Sequence, residues 1–185
     1  KSLIDEIRKL FNNKKFPIMI DQEGGKVSRL NKILDFSAFS QSNLKHIYKK
    51  NKKLFYSIYN IYVNEVCNIF NFVGININTT PVLDIRRKNA HHVIGSRSFS
   101  NNVDDVVKLG NICIKLFEKK KILTVAKHIP GHGLAKHDSH LQTPLINASK
   151  TILEQNDFKV FKSCRSLFSM TCHAIFLKPC VFLSS

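Results

Sequence analysis

Tryptophan is absent, glycine and proline are sparse at 7 and 5 of 185 residues, and acidic residues number only 13 against 29 basic ones. So little glycine and proline excludes a collagenous or low-complexity chain, and 43% apolar with 23% charged residues excludes intrinsic disorder. No stretch approaches the roughly 18 consecutive apolar residues of a membrane span, and the opening Lys1-Ser2-Leu3-Ile4-Asp5-Glu6 has no apolar signal core. The expectation is a cytoplasmic protein with no membrane partner. Cysteine is scarce as well: Cys67, Cys113, Cys164, Cys172 and Cys180 are odd in number and form no Cys-x-x-Cys pair, which fits reduced packing thiols better than disulfides or zinc. What remains is enough chain for one domain with one core.

The formal charge of +16 raises the question of a polyanionic partner. Residue type answers it, because 23 of the 29 cations are Lys and only 6 are Arg, whereas phosphate and base recognition lean on the Arg fork. Lys, Asn, Ile and Phe are all abundant here and share A/T-rich codons, so base-composition drift produces the same excess. No nucleic-acid partner is expected, and a nucleic-acid-binding protein is the least favoured reading.

Apolar runs alternate with helix-period stretches, and no repeat or linker divides the chain, which favours α/β. The periodicity predicts helices over 2–11, 43–70, 103–117 and 150–164, the third opened by the capping residues Asn101 to Asp105. Strands are predicted over 16–20, 75–83, 122–126 and 167–170. Each runs into a polar residue: Asp21, Asp84, Lys127 with His128, and His173. In βα barrels and open α/β sheets, ligands bind at the C-terminal strand ends, so the recurrence points to one site. Taken singly, each residue could equally be a polar strand terminus at the surface.

The densest chemistry lies in Lys127-His128-Ile129-Pro130-Gly131-His132-Gly133-Leu134-Ala135-Lys136-His137-Asp138-Ser139-His140, which holds four of the eight histidines. His128 and His132 have the spacing of a helical zinc pair, but Pro130, Gly131 and Gly133 argue against a helix, so no metal is expected. A glycine-rich loop can instead bring in Asp138 and His140. The carboxylate fixes one imidazole nitrogen and leaves the other to give or take a proton, as general acid/base catalysis requires. A polar surface loop is the plainer reading of the same residues. Asp21-Gln22-Glu23-Gly24-Gly25, with Arg29 eight residues beyond Asp21, places carboxylates beside a turn that a hydroxyl-rich ligand can approach closely. Arg97, in Ile94-Gly95-Ser96-Arg97-Ser98-Phe99, is a rare arginine in a Gly/Ser loop.

Together these segments resemble the β-N-acetylhexosaminidase type of bacterial family 3 glycoside hydrolases, which recycle cell-wall muropeptides. The resemblance is carried by I-D-Q-E-G-G-K-V-S-R-L at 20–30, P-V-L-D at 81–84, I-G-S-R-S-F at 94–99, K-H-I-P-G-H-G at 127–133, D-S-H at 138–140 and M-T-C-H at 170–173. It extends from Lys1 to about Phe176. It implies a TIM-like (β/α)8 barrel and a retaining mechanism without a metal or organic cofactor. His140 would be the acid/base and Asp138 its partner. Asp21, Arg29, Arg97, Lys127 and His128 would hold a GlcNAc-containing carbohydrate. Ile129 stands where the family usually has Phe.

Two departures accompany the resemblance. The family's nucleophilic aspartate lies in an S-D-D-like motif after the M-T-x-H segment, and no such motif follows Met170 here. Residues 177–185 depart from the family's continuation, and the strand and helix expected before Lys1 are missing. The expectation is thus one partial barrel domain over 1–185 with a divergent tail, lacking both the first βα unit and the C-terminal units. A complementary C-terminal fragment would be the natural partner. The alternative function is a catalytically inactive remnant or sugar-binding module.

Overall fold

The computed structural model describes residues 1–88, 92–135 and 143–178. Four parallel strands form the main sheet: β1 (Met19–Ile20), β4 (Ile77–Asn78), β5 (Leu123–Ile129) and β7 (Phe168–Thr171), in that order across the sheet. Sheet order follows chain order, and each crossover between parallel neighbours carries helix. The first crossover holds α2 (Gln41–Lys50) and α3 (Lys52–Val73), the second α4 (Val103–Glu118), the third α5 (Lys150–Gln155) and α6 (Asp157–Ser163). This is the winding of a TIM-like barrel, present among the described residues as an open arc. The helix α1 (Ser2–Leu10) precedes the sheet, its Arg8 donating to Gly74 O at 2.7 Å.

The core lies between helices and sheet. Phe55, Tyr59, Val66 and Phe70 of α3, Val106, Leu109, Cys113 and Phe117 of α4, and Val160 of α6 bury against Leu83, Ile85, Ile122 and Ala126. Burial pushes the Cys113 and Cys67 thiols up to about 11 and about 12, as expected of inert packing cysteines. Because strand side chains alternate, Val125 points away from that core. With Pro17, Met19, Ile77 and Phe168 it lines an apolar hollow of about 530 Å³, in which Met19 is 51% exposed.

Four features differ from the sequence expectation. The helix predicted over 43–70 starts earlier and breaks at Asn51, whose extended backbone ends α2 while its side chain caps α3 by accepting from Leu54 N at 3.0 Å. The helix predicted over 150–164 breaks likewise at Asn156, which leaves helical geometry between α5 and α6. The Gly24-Gly25 segment forms a hairpin of β2 (Gln22–Gly24) and β3 (Val27–Ser28). Gly25, with φ 62°, takes the first position of its two-residue turn, and a Cβ on Gly24 would stand 2.5 Å from Phe39 O. A small parallel pair, β6 (Leu145–Ile146) with β8 (Ile175–Phe176), was not expected. No helix among the described residues is long and apolar enough to cross a membrane.

Candidate active site

Of the polar residues expected at the strand ends, Asp21, Lys127, His128 and His173 face one cleft of about 290 Å³, which Glu23, Arg29, Arg97 and His132 line as well, together with Val27, Val93, Met170 and Thr171; Asp84 is fully buried and does not line it. Strand β5 supplies two neighbours to it. Its pairing with β7 shifts register between Lys127 and Ile129, and such an irregularity re-aims side chains at a strand end.

Lys127 is the node of the cleft. Its Nζ lies 2.6 Å from Glu23 Oε1 and 2.9 Å from Asp21 Oδ1, and donates to Thr79 Oγ1 at 3.0 Å. The Lys127 and Glu23 side chains are 3% and 1% exposed, so each charge needs a partner of opposite sign beside it. Arg97 completes the neutralisation in fork geometry, Nε donating to Glu23 Oε2 and Nη2 to Oε1, both at 2.8 Å. Asp21 and Glu23, two residues apart in extended chain, share a side, and that is why one lysine reaches both. The Thr79 hydroxyl also donates to Asp21. Burial works against the charged form of Asp21, but the hydrogen bonds from Thr79 and Lys127 and the charges of Lys127 and Arg29 outweigh it and hold the carboxyl below its ordinary value. Arg29 is the loosest member: its Nη2 is 3.9 Å from Asp21 Oδ2, with side chains 61% and 41% exposed. Both keep a face towards solvent from which a ligand can be held.

On the other side of the cleft the fully buried Asp84 organises the histidines. His128 Nδ1 sits 2.6 Å from Asp84 Oδ2; a carboxylate only accepts, so this nitrogen donates, and the bond fixes the orientation of the ring. Asp84 Oδ1 accepts from His132 N at 2.6 Å, which fastens the glycine-rich loop to the end of the strand region. Burial alone would raise the Asp84 carboxyl, but His128 and His132 together hold it below its ordinary value.

Beneath this loop lies a further ionisable group. Asp157, at the start of α6 and 1% exposed, accepts from Arg87 Nη2 at 3.0 Å through Oδ2. Its Oδ1 is buried with no hydrogen-bond partner among the described residues, 2.8 Å from where a Cβ on Gly131 would stand. Burial pushes the carboxyl up to about 6, opposed in part by the Arg87 charge and its hydrogen bond. The folded chain thus holds this proton more tightly than the unfolded chain, whose carboxyl titrates near 3.8. The resulting stabilisation is fully present below that value and is lost as pH rises through about 6. Asp157→Asn is expected to remove this loss, about 3 kcal/mol across the window. Urea unfolding of both proteins from pH 3.5 to 7.5, as roughly spans the two titrations, checks it. Parallel stability profiles would contradict it.

The cleft therefore brings together Asp21, Arg29, Arg97, Lys127 and His128, the five residues singled out for sugar binding. Asp138 and His140, singled out as acid/base and partner, lie outside the described residues, as do Cys180 and most of the tail. Sequence reasoning did not single out Glu23, Thr79 or Asp157. Glu23 was visible as a second carboxylate at the spacing of Asp21, whereas Asp157 sat unmarked inside a predicted helix. Lys127 and Arg97 also carry a duty the sequence did not suggest, since much of their donor capacity is spent on Glu23.

Residues 1–176 match the glycosyl hydrolase family 3 N-terminal domain. The chain is 34% identical over 148 residues to the beta-hexosaminidase A of Pseudoalteromonas piscicida, covering 78% of this chain and 24% of that protein. It is 34% identical over 167 residues to a beta-hexosaminidase of Neisseria meningitidis serogroup C, covering 88% of this chain and 44% of the other. Among solved structures, NagZ from Neisseria gonorrhoeae in complex with N-trifluoroacetyl-D-glucosamine superposes with a TM-score of 0.75 at 29% identity, over 86% of this chain and 47% of that one. The chain thus spans less than half the length of these relatives. With a family match over nearly its whole length and the family's winding in its sheet, the chain belongs to glycosyl hydrolase family 3, in the N-terminal domain.

Proposed function

We propose that this chain is the sugar-binding and acid/base portion of a retaining β-N-acetylhexosaminidase that releases terminal β-linked GlcNAc from peptidoglycan-derived muropeptides in the cytoplasm. The observation that carries the reading is the convergence of Asp21, Arg29, Arg97, Lys127 and His128 on one cleft at the C-terminal strand ends of a family 3 chain. These groups suit hydroxyls and an acetamido group: Asp21 accepts, Arg29 donates, and Lys127 and Arg97 orient Asp21 and Glu23. His128, its ring fixed by Asp84, lines the same cleft.

In the proposed reaction an aspartate attacks the anomeric carbon while the glycosidic C–O bond breaks, and His140 gives its proton to the departing oxygen. Water then attacks the glycosyl-enzyme, His140 takes its proton, and the aspartate leaves. Asp138 stabilises the imidazolium. The attacking aspartate would come from a polypeptide segment outside this sequence, since no S-D-D-like motif follows Met170. The two catalytic groups of a retaining glycosidase act in concert roughly 5–5.5 Å apart. The purified 185-residue chain is therefore expected to leave a chromogenic β-GlcNAc substrate essentially uncleaved. Robust release of chromophore by this chain alone would overturn the assignment of the nucleophile. Restoration of turnover by a separately expressed C-terminal half of a relative would favour a divided enzyme over an inactive sugar-binding module.

A further inference from the structure

A second hollow, of about 320 Å³, lies behind the turn that carries Arg97. Val93 and Arg97 line the sugar cleft, whereas His92, Ile94 and Gly95 line this one, so the same segment walls both. Arg86, Arg87, Lys88 and His92 face into it, and among the described residues no Asp or Glu lines it. Two of the six arginines of a lysine-dominated chain stand side by side here.

These arginines are held in place rather than waving in solvent. Arg86 donates its main-chain N–H to Ser100 O at 2.9 Å and its Nη1 to Ser42 Oγ at 3.1 Å. Arg87 is anchored through Nη2 to Asp157, its side chain 26% exposed. Each guanidinium has five N–H donors in a fixed fork and has spent only part of them on these anchors. Arg87 Nε is buried with no hydrogen-bond partner among the described residues, a donor that costs free energy until an acceptor meets it. A Cβ on Gly95 would meet nothing within 4 Å, so the wall beside these donors is open. Asp157 offsets the charge of Arg87 alone; Arg86 and Lys88 line the hollow with no carboxylate beside them there among the described residues, and an acceptor carrying negative charge suits them.

We propose that this hollow binds a small oxyanion, a phosphate or carboxylate group held by Arg86, Arg87 and Lys88. Its source is either free phosphate or an anionic group on the leaving portion of the glycoside; the second source rests on the function proposed above, the site itself does not.

The test is titration of the isotopically labelled 185-residue protein with inorganic phosphate, followed by amide NMR with chloride at matched ionic strength as control. Saturable shifts at Gly95, Asn101 and Gly133 are expected. In the double variant Arg86→Gln, Lys88→Gln, affinity should fall about tenfold or more, the loss implied by one charge-assisted hydrogen bond. Thermal unfolding close to that of the wild type would show the variant folded. Shifts linear in phosphate, equal shifts with chloride, or equal affinity in the double variant would overturn the site. Arg86→Lys, which keeps the charge but not the fork, should retain binding in part. To identify the source, the phosphate-saturated protein is then titrated with a neutral β-GlcNAc glycoside and with one bearing a carboxylate on its aglycone. Displacement of phosphate by the anionic glycoside alone assigns the oxyanion to the substrate, and binding of both without displacement assigns it to free phosphate. Failure of both glycosides to bind would refute the sugar reading while leaving the phosphate site standing.

Discussion

Replacing Lys127 by Met is expected to destabilise the fold by about 3–5 kcal/mol, the cost of removing one partner from a buried ion pair. For a domain of this size that corresponds to a fall in Tm of roughly 6–20 °C. The reason is local. Glu23 Oε1 loses its partner at 2.6 Å, and Asp21 Oδ1 its partner at 2.9 Å, while Arg97 alone remains to neutralise Glu23. Mutations at Lys127 and Glu23 should therefore be non-additive. In the Lys127→Met background Glu23→Gln acts on a carboxylate that has already lost Lys127, so it should cost less than it does in the wild type, with a coupling energy between roughly 0.5 and 3 kcal/mol in a double-mutant cycle. Measured by urea unfolding, purely additive effects would mean that the two side chains do not share one network.

The second large effect concerns the proposed chemistry. In a version of the enzyme that also carries the nucleophilic aspartate, His140→Ala is expected to lower kcat by about 10²–10⁴-fold, the usual contribution of a positioned acid/base. KM should change little, because ring contacts are assigned to Asp21, Arg29, Arg97, Lys127 and His128. Asp138→Asn should also lower kcat. It should move the alkaline limb of the pH–rate profile to lower pH, because removing a neighbouring negative charge makes the imidazolium easier to deprotonate. Unchanged kcat in His140→Ala would sink the acid/base assignment.

The sheet and its active end were legible because apolar runs of strand length broke off at Asp21, Lys127 and His173, which all line one cleft, although β5 continues through Lys127 and His128 to Ile129 and Asp84 stands well beyond the end of β4. The helix breaks were not legible. The apolar period runs on past Asn51 and Asn156, so only the competition between an asparagine cap and a continued helix decides there, and that competition is settled by packing. The β2–β3 hairpin was hidden for another reason: its strands are too short to show alternation, and only its two glycines mark it. In the cleft, lone chemical oddities such as Arg97 and His128 could be picked out one at a time. Asp157 could not, and Glu23 showed only as a second carboxylate beside Asp21, since the significance of both lies in burial against Arg87 and Lys127, partners more than 60 residues away in the chain.

The central claim, that the cleft at the strand ends is built for an N-acetylhexosamine, is tested most directly by titrating N-acetylglucosamine into the folded 185-residue chain by NMR. The account predicts saturable shifts at Arg29, Arg97, Lys127 and His128 that disappear in Asp21→Ala while the fold persists by circular dichroism. A folded wild-type chain that shows no saturable response to the sugar at these positions would contradict it.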